Sequence, residues 1–246
     1  MFHRIQTNVP DSVIYAMQPA FWMDARRAPA GVVTSMPNRG GAGGNFTAPV
    51  TGPTKGTNTR GTPTLTFSTA AHRLAIPTYN WGRAVTIVTI EEQTVTGVMI
   101  SVWVGNAANT DQIFLGRHAA GPLDRNITMT VAVNAVPGPS QSQYMNTNAA
   151  YTGVICGLGW WNGVLAAASE QRVEVNGVAV ATTVGAAQET SVAEGNVPGW
   201  IGAYGENTAS FFYQGTISQV LMFNRALSTA ECLALYKALR LICNLA

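Results

Sequence analysis

The chain has 246 residues, of which 47% are hydrophobic and only 11% charged, with a net charge of +2. An average soluble domain is about 25% charged, so the polar surface must come from Thr, Asn, Ser, Gln and Gly. No Lys/Arg run is long enough to track a phosphate backbone, and no apolar run reaches the roughly 18 residues of a membrane-spanning helix, which excludes nucleic acid and membrane as expected partners.

In chain order, residues 1–19 read as an N-terminal arm and 20–246 as a single domain, a length that suits one all-β unit with a sizeable core. Met1 to Pro10 is polar and Val13 to Met17 is too short for the apolar part of a secretory leader, so none is expected. Ala20-Phe21-Trp22-Met23 reads as the first strand. Residues 37–63 form a long Gly/Thr/Pro/Asn loop, and loops of such length in a compact domain are often functional. Short β-rich runs follow at 64–67, 84–90, 98–104, 112–115, 127–133 and 151–156. Several alternate apolar residues with Thr or Ser, as half-buried strands do. The alternation slips once between Val85 and Ile90, which marks a bulge or a strand buried on both faces.

The strongest local signal is Val173-Glu174-Val175-Asn176-Gly177-Val178. Asn-Gly tolerates the positive φ that both central positions of a type I′ hairpin turn require. One helix is expected, at the end of the chain. Ser228-Thr229-Ala230-Glu231 is a capping box, with Leu227 placed to staple onto Cys232. Cys232, Leu235, Tyr236 and Leu239 share one helical face, and Lys237 and Arg240 favour the negative end of the dipole. Cys156, Cys232 and Cys243 are an odd, sparse set among apolar neighbours, which predicts small buried hydrophobes and no disulfide framework. Cys232 and Cys243 lie too far apart on one helix to pair with each other.

The C-terminal third resembles the closing block of concanavalin A-like lectin/glucanase (laminin-G-like) domains. Gly199-Trp200-Ile201-Gly202 is followed by Phe212-Tyr213-Gln214-Gly215-Thr216-Ile217-Ser218-Gln219-Val220, then Phe223-Asn224-Arg225-Ala226-Leu227-Ser228. Gln219 stands where that family often has an acid. Further matches run backwards in order: Val175-Asn176-Gly177, Trp161-Asn162-Gly163, Pro63-Thr64-Leu65-Thr66-Phe67 and Phe21-Trp22-Met23-Asp24-Ala25. The resemblance covers roughly residues 20–241 and implies an antiparallel two-sheet β-sandwich, a jelly roll with a short C-terminal helix, of the kind also found in bacteriophage virion proteins. It implies little about activity, because the fold hosts lectins, glycosidases and adhesion modules alike.

Glycoside hydrolysis needs two facing carboxyl groups. The Glu-x-Asp-x-Glu strand of the family's glucanases is missing, and the four Asp are Asp11, Asp24, Asp111 and Asp124. Glu91 and Glu92 are adjacent and face opposite ways on a strand. Glu170 and Glu174 are the best remaining pair. Asp24, Asn106, Asn109 and Asp111 are the oxygen donors that a Ca²⁺ ion would use if they met in space. His3, His72 and His118 lack a second ligand at metal-binding spacing. There is no Gly-x-Ser-x-Gly elbow, and Gly40 to Gly44 lacks the Lys-Ser/Thr of a phosphate loop. Of the tryptophans able to stack on a sugar, Trp160, Trp161, Trp81, Trp103 and Trp200, the reading places Trp103 and Trp200 in the core and expects Trp81, in Pro77-Thr78-Tyr79-Asn80-Trp81-Gly82, to be the one partly exposed.

The expectation is therefore a protein without catalytic, cofactor or metal residues. Its preferred role is a structural virion protein of a tailed bacteriophage, made in the host cytoplasm and acting through capsid or tail proteins and copies of itself. The alternative is a lectin-like module that reads host surface glycan, with glycoside hydrolase as a third class. The arm 1–20 and the loop 37–63 are the expected contact segments.

Overall fold

Alternating side chains along short strands build two antiparallel sheets packed face to face. The computed structural model describes residues 9–82, 84–95, 99–105, 111–118, 126–133, 141–147, 149–162, 171–185, 195–204 and 212–245. Among these, the first sheet holds β1 (Phe21–Asp24), β4 (Thr54–Thr57), β5 (Pro63–Phe67), β7 (Ala84–Gln93), β12 (Val154–Asn162), β13 (Gln171–Val175), β14 (Val178–Ala179) and β17 (Gly215–Phe223). The second holds β2 (Ser35–Pro37), β3 (Asn45–Thr47), β6 (Leu74–Trp81), β8 (Met99–Gly105), β9 (Asp111–His118), β10 (Asn126–Val133), β11 (Gln141–Thr147), β15 (Thr182–Gly185) and β16 (Gly195–Ile201). Two α-helices, α1 (Val9–Ala16) and α2 (Thr229–Cys243), and a short 3-10 turn at Ala25–Arg27 complete the described elements. The expected all-β sandwich with a C-terminal helix is the observed fold.

The main core lies between the sheets. Phe21, Leu65, Phe67, Ile87 and Met222 of the first sheet meet Phe46, Leu74, Trp81, Val102 and Leu115 of the second. Each such side chain contributes about 1.5–3 kcal/mol by leaving water. One ion pair crosses this core. Arg117 of β9 donates from Nε to Glu91 of β7 at 2.7 Å, and both side chains are essentially inaccessible. Ser101 of β8 also donates to Glu91, and Arg117 donates to the Tyr151 carbonyl at 3.2 Å. The adjacent Glu92 faces the other way and accepts from Thr59, as the sequence predicts for neighbours on a strand.

A second apolar layer covers the outer face of the first sheet. Trp22, Val88, Ile90, Cys156, Leu158, Leu221 and Phe223 pack under Ile14 of α1 and Cys232, Leu235, Leu239 and Cys243 of α2. This explains the slipped alternation in β7. Val85 and Ile87 enter the inter-sheet core, while Val88 and Ile90 enter the helix layer, so the strand is buried on both faces. The register shift sits in its partner β17, between Ile217 and Gln219.

The hairpin and the capping box form as predicted. Asn176 and Gly177 take φ of 52° and 75°. Ser228 Oγ accepts from the Glu231 amide at 3.3 Å, and Glu231 accepts from the Ser228 amide at 2.8 Å. Three expectations need correction. Residues 9–16, read as part of an arm, form a helix docked on the body, with Ile14 fully buried. The long loop 37–63 contains β3 and β4, and its glycine-rich turn bonds to the segment that leads into β1: Gly41 donates to the Pro19 carbonyl at 2.8 Å and Ala42 to that of Ala20 at 3.0 Å. Trp81 ends β6 and is buried on Phe21 and Tyr79, not exposed in a turn.

Candidate functional site

The carboxylates singled out in the sequence do not form a reaction centre among the described residues. Glu174 faces α2 and is ion-paired with Arg172 at 2.6 Å, and Arg172 also donates to Thr229. Burial raises the Glu174 carboxyl above the usual range, with Arg172 opposing the shift. Its proposed partner Glu170 lies outside the described residues, as do Asn106, Asn109 and Asp124, the side chain of Asp111, His3 and the side chain of His118.

Asp24 is unsuited to a calcium ion because it is already neutralised. The Arg26 guanidinium donates to it twice, at 2.8 and 2.7 Å, and the Arg26 amide once, at 3.1 Å; Arg39 donates to the same carboxylate, and Gln219 donates at 2.9 Å. Burial pushes the Asp24 carboxyl up, but the Arg26 and Gln219 hydrogen bonds and the charges of Arg26 and Arg39 outweigh it and leave it below the ordinary value. Asp11 of α1 accepts from the same arginines at 2.8 and 2.9 Å. Arg39 also lies 3.8 Å from the Trp22 ring centre and donates to Tyr15. This cluster fastens α1 to the first sheet. His72 accepts from the Ser68 amide at 3.2 Å, a local turn contact. The three cysteines are buried and unpaired in the helix layer, and burial pushes the Cys232 and Cys243 thiols up to about 12.

The two sandwich faces differ. The helices close the outer face of the first sheet, whereas no described helix covers the second. Across that second sheet the register aligns Thr47 with Ala75, Ala75 with Trp200, Trp200 with Trp103, and Trp103 with Phe114. Directly paired residues project from the same side of a sheet, so these five form one row. Tyr204 packs across its aromatic end, 5.9 Å from Trp103 and 6.0 Å from Phe114 between ring centres. Trp103 is held by its indole N–H, which donates to Gln112 at 2.9 Å. The guanidinium of Arg73 lies 4.7 Å from the Trp200 ring centre.

The small side chain of Ala75 leaves a hollow beside Trp200. An open groove of about 390 Å³ runs there, edged by Asn45, Thr47, Thr78, Pro198 and Trp200. Small-ligand pockets span roughly 300–1,000 Å³. Asn45, Thr47 and Thr78 are exposed and carry hydroxyl and amide groups, and no described carboxylate lines the groove. The Trp200 indole N–H is buried without an acceptor among the described residues.

The sequence reading put Trp200 in the core; it is buried, but in the outer cluster with Trp103 and not between the sheets. Of the Trp160–Trp161 pair, Trp161 faces the inter-sheet core and Trp160 the margin of the helix layer. The pairing of Trp200 with Ala75 and Thr47 could not be read from the chain, since the three belong to strands remote in sequence.

No protein-family model matches the chain, and no curated protein sequence matches it. Solved structures do. The binding domain of botulinum neurotoxin serotype G aligns with a TM-score of 0.58 over 89% of this chain and 50% of that chain, at 13% identity. The Trypanosoma rangeli sialidase in complex with 2,3-difluorosialic acid aligns with a TM-score of 0.55 over 90% of this chain and 33% of that chain, at 12% identity. The Ruminococcus gnavus IT-sialidase CBM40 reaches 0.49 over 70% of this chain and 95% of its own, at 15% identity. This chain thus spans half of the toxin domain and a third of the Trypanosoma enzyme. At such identities the likeness is one of fold, a jelly-roll β-sandwich.

Proposed function

We propose that the chain is a non-catalytic, lectin-like module that holds carbohydrate in the groove beside Trp200. The observation that carries this reading is the outer face of the second sheet, which no described helix covers. The Trp200 indole and three exposed hydrogen-bonding side chains, Asn45, Thr47 and Thr78, line a hollow of small-ligand size. Sugars present C–H faces and hydroxyls, and such a mixed lining suits both. Among the described residues the groove has no carboxylate to protonate a glycosidic oxygen or to hold a cation.

A glycan array followed by titration calorimetry tests the reading. Binding should be unaffected by a chelator, should fall at least tenfold in Trp200→Ala, and should weaken in Thr47→Ala and Thr78→Ala. Absence of binding to every glycan, with and without Ca²⁺, overturns it.

A second reading has its own observation. Leu233 and Leu241 of α2 are 43% and 72% exposed and share one stripe of a helix whose other side is packed. In this reading the chain is a structural component of a bacteriophage virion, made in the host cytoplasm and working through protein contacts. The unpaired thiols fit synthesis in a reducing compartment. Mass spectrometry of purified particles tests it, and absence of the chain from all of them overturns it.

A further inference from the structure

We infer that the exposed face of α2 is a docking surface for an acidic segment of another protein. Helical spacing brings Leu233, Lys237 and Leu241 into one stripe, with Arg240 and Asn244 beside it. The opposite stripe, Cys232, Leu235, Leu239 and Cys243, is the one that packs on the first sheet. Near the helix C-terminus the exposed stripe opens into a hollow of about 600 Å³ edged by Lys237, Arg240, Leu241 and Asn244.

Among the described residues the charged side chains around this hollow have one sign. Lys237 and Arg240 are exposed, and Arg60 joins them by donating to the Asn244 carbonyl at 3.1 Å. None of the three is in an ion pair with a described carboxylate. An apolar strip edged by three cations without a described carboxylate partner fits a partner with apolar side chains flanked by Asp or Glu.

A second copy is a poor occupant on the described residues. Asp11, Asp24, Glu91 and Glu174 are buried, Glu92 is engaged by Thr59, and Glu231 by Ser228 and Arg225. The surface is independent of the carbohydrate groove, because α2 and the groove lie on opposite outer faces of the sandwich.

The test uses three synthetic peptides of equal length and leucine spacing, carrying Glu, Gln or Lys at the intervening positions. Fluorescence anisotropy against the full chain should show the Glu peptide binding at least tenfold tighter than the Gln peptide, and more weakly as salt rises. The Lys237→Gln/Arg240→Gln double variant and Leu241→Ser should each reduce that binding at least tenfold, while circular dichroism shows a folded chain and glycan binding is unchanged. Equal or absent binding of the three peptides overturns the inference. So does tighter binding to phosphatidylserine vesicles than to the Glu peptide, or a dimer in sedimentation that Leu241→Asp abolishes.

Discussion

Asp11 of the N-terminal helix and Asp24 of the first strand share the same two arginines, Arg26 and Arg39. The side chains are mostly buried, so removing one carboxylate leaves guanidinium charge without its counter-ion. Asp11→Ala should lower stability by about 2–3 kcal/mol in urea unfolding. It should also make residues 9–16 sensitive to limited proteolysis before the rest of the chain unfolds. A midpoint and cleavage pattern like those of the parent would show that the cluster does not hold α1.

Acid should weaken the fold through Glu231. Hydrogen bonds from Arg225 and from the Ser228 amide and hydroxyl lower its carboxyl to about 2, against an ordinary 4.5. A depressed folded value means that the unfolded chain binds the proton more tightly. The contribution is therefore complete above about 4.5 and is lost as pH falls toward 2. Asp24 shifts in the same direction. Glu231→Gln should cost about 1 kcal/mol at neutral pH, held low by solvent screening. Its stability curve between those pH values should be flatter than the parent's, as followed by chemical denaturation at each pH.

Gln18 has φ of 56° at the corner between α1 and β1, a conformation that glycine adopts without strain. Gln18→Gly should stabilise the fold by about 0.5–1 kcal/mol, after the larger chain entropy of glycine is subtracted. A lower melting temperature would mean that the Gln18 side chain makes compensating contacts.

Gly177 combines positive φ with a close neighbour. A Cβ added there would lie 2.3 Å from the Tyr236 ring. Gly177→Ala should cost more than 2 kcal/mol, beyond the roughly 1 kcal/mol of the left-handed backbone alone. In a double-mutant cycle, Tyr236→Ala should recover part of the excess. Strict additivity would show that the turn and α2 are not in tight contact.

The thiols should be silent until the chain unfolds. With Cys232 and Cys243 raised to about 12 and all three buried, a thiol reagent should label none of them in native buffer and three in denaturant. Rapid labelling of the native protein would contradict the described helix layer.

Elements with short-range causes are legible in the sequence. The Asn176-Gly177 turn and the Ser228–Glu231 capping box each declare themselves within four residues, and both form as read. Strand β6 is not legible, because Pro77, Asn80 and Gly82 look like turn residues. It forms nonetheless, beside a register shift between Val197 and Gly199 in its partner. Helix α1 is only eight residues long and is held by arginines beyond its own end, so local propensity does not reveal it. The groove depends on three remote strands meeting at Ala75. Alternation shows that Trp200 and Ile201 point opposite ways, but not which of them faces the other sheet.

The turn between β2 and β3 has a consequence for solubility. Its strands belong to the second sheet, yet Arg39, Gly41 and Ala42 donate backbone hydrogen bonds to Trp22, Pro19 and Ala20, along the side of β1 that β17 does not use. Asn38 adds its side chain, accepting from the Trp22 amide at 2.8 Å and donating to the Ala20 carbonyl at 3.2 Å. An open strand edge is a template on which a foreign chain can polymerise. Here the protein occupies that template with its own glycine-rich segment. Gly40, where any Cβ would strike the Ala20 carbonyl oxygen at 2.4 Å, is what lets the segment come close enough to do so.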